Sequence, residues 1–103
     1  MVVKALRPVK NFLDALPHEQ RAEIDAVLDD LQNHGLSAPL VSMRQIQGKL
    51  WEIRVSRNRI FYVMIESDTM VLLHAYKKQS QKAPRHEIET ALRRMRELLA
   101  EGD

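Results

Sequence analysis

Hydrophobic positions in the first third of the chain recur at helical spacing. Val9, Phe12, Leu13 and Leu16 form one such set behind Arg7 and Pro8, so a short helix follows a brief apolar segment, Val2 to Leu6, that reads as a strand. Pro17 restarts the chain. Ile24, Val27, Leu28 and Leu31 then trace a single stripe, while Glu19, Glu23, Asp25, Asp29 and Asp30 keep much of the remainder polar, and Gly35 supplies a stop. These two segments predict a helical hairpin joined near Leu16 and Pro17, with scaffold as its simplest role. After Pro39 the pattern changes. A strand is expected near Met43 to Ile46, and β-branched and aromatic residues dominate from Leu50 to Tyr76, broken at Ser56 to Asn58 and at Ser67 to Asp68. That pattern predicts a three-stranded meander. Pro84 opens a last amphipathic helix carrying Ile88, Ala91, Leu92, Met95, Leu98 and Leu99. The expected fold is α+β: a small antiparallel β-sheet packed by an N-terminal helical hairpin and a C-terminal helix.

A chain of 103 residues is expected to form a single domain over residues 1–103. The absence of cysteine excludes disulfides, a thiolate zinc site and a cysteine nucleophile, and fits a cytoplasmic location. No apolar run approaches the roughly 20 residues of a membrane helix, and the N-terminus does not resemble a signal peptide, so no membrane partner is expected. The net charge of +2 conceals an uneven distribution. Residues 43–85 carry nine basic side chains (Arg44, Lys49, Arg54, Arg57, Arg59, Lys77, Lys78, Lys82, Arg85) against three acidic ones, so the middle of the chain is suited to an anion.

Turn chemistry sets which of these side chains share a face. A two-residue turn at Arg57 and Asn58 places Arg54 opposite Phe61 and Glu52 opposite Val63, and sends Trp51, Ile53, Val55, Ile60, Tyr62 and Met64 to the other, apolar face. That apolar face is the floor for the helical hairpin, and its aromatics are expected in the core. A turn at Ser67 and Asp68 places Val63 opposite Leu72, Phe61 opposite His74 and Arg59 opposite Tyr76. Arg54, Arg59, His74, Tyr76 and Lys78 then converge, with Phe61, Val63, Ile65, Met70 and Leu72 beneath the last helix. A one-residue slip would invert these assignments.

Each cation alone is most simply a solvated surface residue. Gathering Arg54, Arg59, Lys77 and Lys78 without nearby carboxylates is repulsive unless an anion fills the site. His74 is either a satisfied histidine beneath the last helix or a catalytic group, and Tyr76 is similarly balanced. His18, His34 and His86 fall on helix edges and carry no assignment. No Gly-rich phosphate loop, HExxH motif, serine-nucleophile motif or metal-holding carboxylate cluster is present, so neither metal nor cofactor is expected. RNA cleavage suits such a site, because the 2'-hydroxyl is an internal nucleophile. A guanidinium forks onto two phosphate oxygens as charge develops, a role that fits Arg54 and Arg59. His74, Tyr76 and Lys78 remain equal candidates for proton transfer.

Gly48 to Arg54 (GKLWEIR), Arg59 to Tyr62 (RIFY), Leu72 to Lys78 (LLHAYKK) and Gln81 to Pro84 (QKAP) together resemble the HigB branch of the RelE toxin superfamily. The flanking helices agree in order, so the resemblance spans nearly the whole chain. It implies a type II toxin that cleaves mRNA in the ribosomal A site as an endoribonuclease and is silenced by a cognate antitoxin, usually a helix-turn-helix protein. By the same resemblance, Arg59, Arg54, Lys77 and Lys78 contact phosphate and ribosomal RNA. The charge distribution, and not the resemblance, adds Lys49, Arg57, Lys82 and Arg85 to the expected RNA-binding surface. One departure stands out: many relatives place a catalytic Tyr or His just after the last strand, where this chain reads Gln79, Ser80, Gln81, Lys82, Ala83 and Pro84. Tyr76 is the candidate substitute. The competing reading is a non-catalytic module of the same fold that binds nucleic acid or a protein partner.

Overall fold

The computed structural model describes residues 1–80 and 84–101. Its elements run β1 (Val2–Ala5), α1 (Arg7–Asp14), α2 (His18–His34), a 3-10 turn at Gly35–Ser37, β2 (Ser42–Gln47), β3 (Leu50–Val55), β4 (Asn58–Ile65), β5 (Thr69–Lys77) and α3 (Arg85–Glu101). The five strands form one sheet in the order β1-β5-β4-β3-β2. The meander is antiparallel, as expected. β1 joins it as a parallel edge beside β5, which departs from the expected all-antiparallel sheet.

Each sheet face has its own core. Ile53, Val55, Ile60, Tyr62, Met70, Leu72 and Ala75 pack with Val9 and Leu13 of α1 and Ile24 and Leu31 of α2. On the other side Leu50, Phe61, Val63, Val71, Leu73 and Tyr76 pack with Ala91, Ile88, Leu92, Met95 and Leu98 of α3. Gly35 ends α2 at φ 63 and ψ −154, a backbone region that essentially only glycine occupies without strain.

The observed registers alter three expectations. The β3–β4 turn is Ser56 and Arg57, not Arg57 and Asn58: Val55 pairs with Asn58 and Arg54 pairs directly with Arg59. Asn58 is drawn into the strand because its side chain is buried and donates to Gln20 Oε1 of α2 at 3.2 Å. The two-residue shift leaves the side chains of residues 51–55 and 59–64 on their expected faces, whereas Ser56, expected opposite Arg59, enters the turn and bonds to Glu23 of α2. Between β4 and β5 the pairs Arg59–Tyr76 and Phe61–His74 occur as expected, but a bulge follows and Tyr62 meets Leu72. Leu73 is the extra residue, so Leu73 and His74 both serve the α3 side. Met70 and Leu72 are consequently on the α1–α2 side, and Val71 and Leu73 take the places beneath α3 expected for them. Finally, Trp51 remains 37% exposed and is not a core residue, beside the edge strand β2 and opposite Gln45.

Candidate functional site

Pairing across four strands aligns side chains into two rows on the α3 side of the sheet. One row is Ser42, Arg54, Arg59 and Tyr76; the next is Arg44, Glu52, Phe61 and His74. Arg54 and Arg59 are thus aimed from adjacent strands to the same face. Arg54 is exposed, and its Nε donates to Ser42 Oγ at 3.3 Å. Arg59 is more enclosed. Its Nη1 donates to the carbonyls of Ser56 at 2.7 Å and Asn58 at 3.1 Å, and its Nε lies 4.0 Å from Glu52 Oε1.

Beside Arg59, the strand ends form an open pocket of about 320 Å³ lined by Arg57, Arg59, Lys78, Gln79 and Ser80. Extended pairing builds it: Lys78 N–H donates to the Arg57 carbonyl at 2.8 Å, and Arg57 Nη1 reaches the Lys78 carbonyl at 3.4 Å. From behind, α2 holds this end in place, with Ser56 Oγ donating to Glu23 Oε2 at 3.1 Å. Three cations around one concavity form a ready site for a phosphate-sized anion.

His74 lies under α3 between two partners. Arg94 Nη1 donates to the Leu73 carbonyl at 3.1 Å and to His74 Nδ1 at 2.9 Å, while His74 Nε2 lies 2.8 Å from Glu87 Oε1. Because Nδ1 accepts from a guanidinium, which cannot accept in return, this geometry assigns the neutral tautomer with the proton on Nε2, donated to Glu87. The ring stacks on Phe61 with centroids 6.2 Å apart, and Phe61 stacks on Tyr76 at 5.6 Å. Tyr76 is buried, and its hydroxyl makes no hydrogen bond among the described residues. Burial raises its pKa above the ordinary 10.0; the charges of Glu52 and Glu87 raise it further, and Arg59 and Arg44 oppose them.

The other expected site residues are dispersed. Lys77 falls on the opposite face, where its Nζ donates to Gln20 Oε1 at 2.7 Å, so it does not join Arg54, Arg59 and Lys78. Strand alternation alone required this, since Lys77 lies between Tyr76 and Lys78. Lys49 is in the β2–β3 turn, at the sheet end away from Arg57, near Glu66 and Leu98. Arg85 opens α3 and is exposed. Lys82 lies outside the described residues. The expectation of a cation cluster without carboxylates is also corrected: Glu52 is 2% exposed between Arg44 Nη2 at 3.6 Å and Arg59, and Glu87 is beside His74. Glu52 and Arg44 are the residues that sequence reasoning left out of the site. Alternation had already put Glu52 on the arginine face, and the pairing of β2 with β3 adds Arg44. No group of three or more His, Cys, Asp or Glu residues arranged to hold a metal occurs among the described residues.

Residues 11–96 match the family described as phage-derived protein, Gp49-like. No curated protein matches the chain. Among solved structures, the fold is similar to the archaeal RelE–RelB complex from Pyrococcus horikoshii OT3, with a TM-score of 0.66, 17% identity, and 79% of this chain and 97% of that chain covered. It is also similar to the RelB–RelE antitoxin–toxin complex from Methanococcus jannaschii, with a TM-score of 0.62, 18% identity, and 72% and 88% covered. The family match spans most of the sequence and the fold is RelE-like; the chain belongs to the Gp49-like family of phage-derived proteins.

Proposed function

We propose that this protein is the toxin of a type II toxin–antitoxin pair, of the HigB branch, and that it cleaves mRNA on the ribosome. The observation that carries the reading is the pocket formed by Arg57, Arg59 and Lys78, with Arg54 paired directly to Arg59 on the same face. In the proposed reaction the substrate's 2'-oxygen loses its proton and attacks the adjacent phosphorus. The new O–P bond forms as the bond to the 5'-oxygen breaks, and that oxygen takes up a proton. Arg59 and Arg54 pair with the phosphoryl oxygens as negative charge accumulates. We assign proton exchange to Lys78, which lines the pocket, and to Tyr76, which is paired with Arg59 across the strands. His74 supports the Phe61–Tyr76 stack from a position in which both of its ring nitrogens are engaged. No metal enters this scheme.

Slow chemistry on free RNA follows from a phenol whose pKa is raised, and the ribosome then supplies substrate positioning. The RelE-like fold of the two archaeal complexes supports an antitoxin partner, for which we propose a helix-turn-helix protein. The test is induction under tight repression followed by mapping of mRNA 5' ends. Wild-type protein should generate new ends within translated regions, and Arg59→Ala should abolish them. Growth arrest with intact transcripts would count against cleavage.

One observation favours a second reading, a non-catalytic RNA-binding module: neither His74 nor Tyr76 presents an unoccupied base at neutral pH. Arg59→Lys separates the two, since it keeps the charge and loses the fork. Loss of toxicity favours chemistry, and retention favours binding.

A further inference from the structure

The carboxylate of Glu52 occupies the middle of the cationic face, yet its Oε1 is fully enclosed and accepts no hydrogen bond among the described residues. Enclosing a charge is unfavourable unless it is paired, and here the pairing is with two guanidinium groups at 3.6 and 4.0 Å. We propose that Glu52 is a positioning residue for the phosphate site: its buried carboxylate holds the Nε edge of Arg59 and the head of Arg44 in a fixed frame across β2, β3 and β4, without itself touching substrate. This inference rests on the proposed RNA-cleaving site and names a residue on which that site depends.

The geometry of Arg59 shows what the frame does. Its Nη1 is committed to the Ser56 and Asn58 carbonyls, and its Nε faces Glu52. Nη2 has no acceptor among the described residues, so one donor group of a guanidinium held along two edges is left for an incoming anion. A planar head restrained in this way loses less freedom on pairing with phosphate than one that rotates freely. Glu52 is too enclosed to serve as the base that reaches a 2'-hydroxyl, which excludes the direct catalytic role a carboxylate would otherwise suggest. Its charge also extends to the neighbouring row, where it favours the neutral phenol of Tyr76.

The test uses Glu52→Gln, which preserves shape and removes the charge. NMR of the arginine Nε–H groups, with the Arg59 signal assigned by its loss in Arg59→Lys, reports the frame directly. In the wild type that signal should stand apart and move on addition of inorganic phosphate. In Glu52→Gln it should merge with the exposed arginines, and the Tyr76 titration, followed in a Tyr62→Phe background, should move to lower pH. Cleavage on ribosomes should fall about tenfold in kcat with KM little changed, as expected when positioning and not binding is removed. An Arg59 signal and a Tyr76 titration that both survive Glu52→Gln would overturn the proposal, and so would cleavage within about twofold of wild type. If Glu52→Gln does not fold, Glu52→Asp is measured instead. It keeps the charge but withdraws it by one methylene, so the Arg59 signal should still merge with the rest; an unchanged signal overturns the proposal. If the wild type cleaves no RNA while the Arg59 signal still depends on Glu52, the nuclease reading fails and the positioning role stands.

Discussion

The two tyrosines are held in their neutral form, and this gives the protein an alkaline limit. Burial raises the pKa of Tyr62, and burial together with Glu52 raises that of Tyr76, both above the ordinary 10.0. An unfolded chain would release these protons first, so above about pH 10 it binds fewer protons than the folded one and stability falls. The stabilisation is therefore fully present below the unfolded value and is lost as pH rises through the folded values. Urea midpoints measured from neutral to strongly alkaline pH should hold steady and then decline. Tyr76→Phe should flatten part of that decline, and an unchanged slope would show that Tyr76 contributes nothing to it. Residue types and alternation alone placed Arg54, Arg59 and Tyr76 on one face. The roles of Glu52 and His74 were hidden because their partners come from distant elements: Arg44 on β2, and Glu87 and Arg94 on α3.

Among the elements, α3 is attached through a defect in the sheet. The bulge at Leu73 interrupts the β4–β5 ladder, and Arg94 donates to the Leu73 carbonyl while also engaging His74. Removing that donor leaves a part-buried carbonyl and a ring nitrogen without a partner, a loss of about 1–3 kcal/mol. Arg94→Met, which preserves the apolar stem, should destabilise the protein by that amount in denaturant unfolding and accelerate amide exchange in α3. Unaltered exchange would mean that the apolar stripe from Ile88 to Leu98 holds the helix unaided. Helix periodicity disclosed the stripe at once. The bulge had no local signal, because Leu72, Leu73 and His74 read equally well in either register.

At the scale of the whole molecule the sheet separates two charge environments. Its α1–α2 side carries the acidic surface of α2, with Glu19, Glu23, Asp25 and Asp29 exposed, and its α3 side presents Arg44, Arg54, Arg57 and Arg59. RNA should therefore dock by the second side only, with an affinity that falls steeply as salt rises. Each arginine–phosphate contact removed from a single strand lowers the slope of log affinity against log salt by about 0.7. Arg54→Gln should produce a change of that size, whereas Lys77→Gln, on the far face, should leave the slope as it was. Equal effects from both would indicate diffuse attraction and no defined track.

The sequence by itself determined the order of elements, the faces of β3 and β4 and the pairs Arg59–Tyr76 and Phe61–His74, because periods of 3.6 and 2 are local properties and a two-residue shift preserves faces. Tertiary structure alone decided the turn at Ser56 and Arg57, where Asn58 is captured by Gln20, and the parallel addition of β1. It also decided the bulge that turns Leu73 toward α3 and the burial of Glu52 between two arginines. These features depend on contacts between residues far apart in the chain, whose energies do not appear in any local window of sequence.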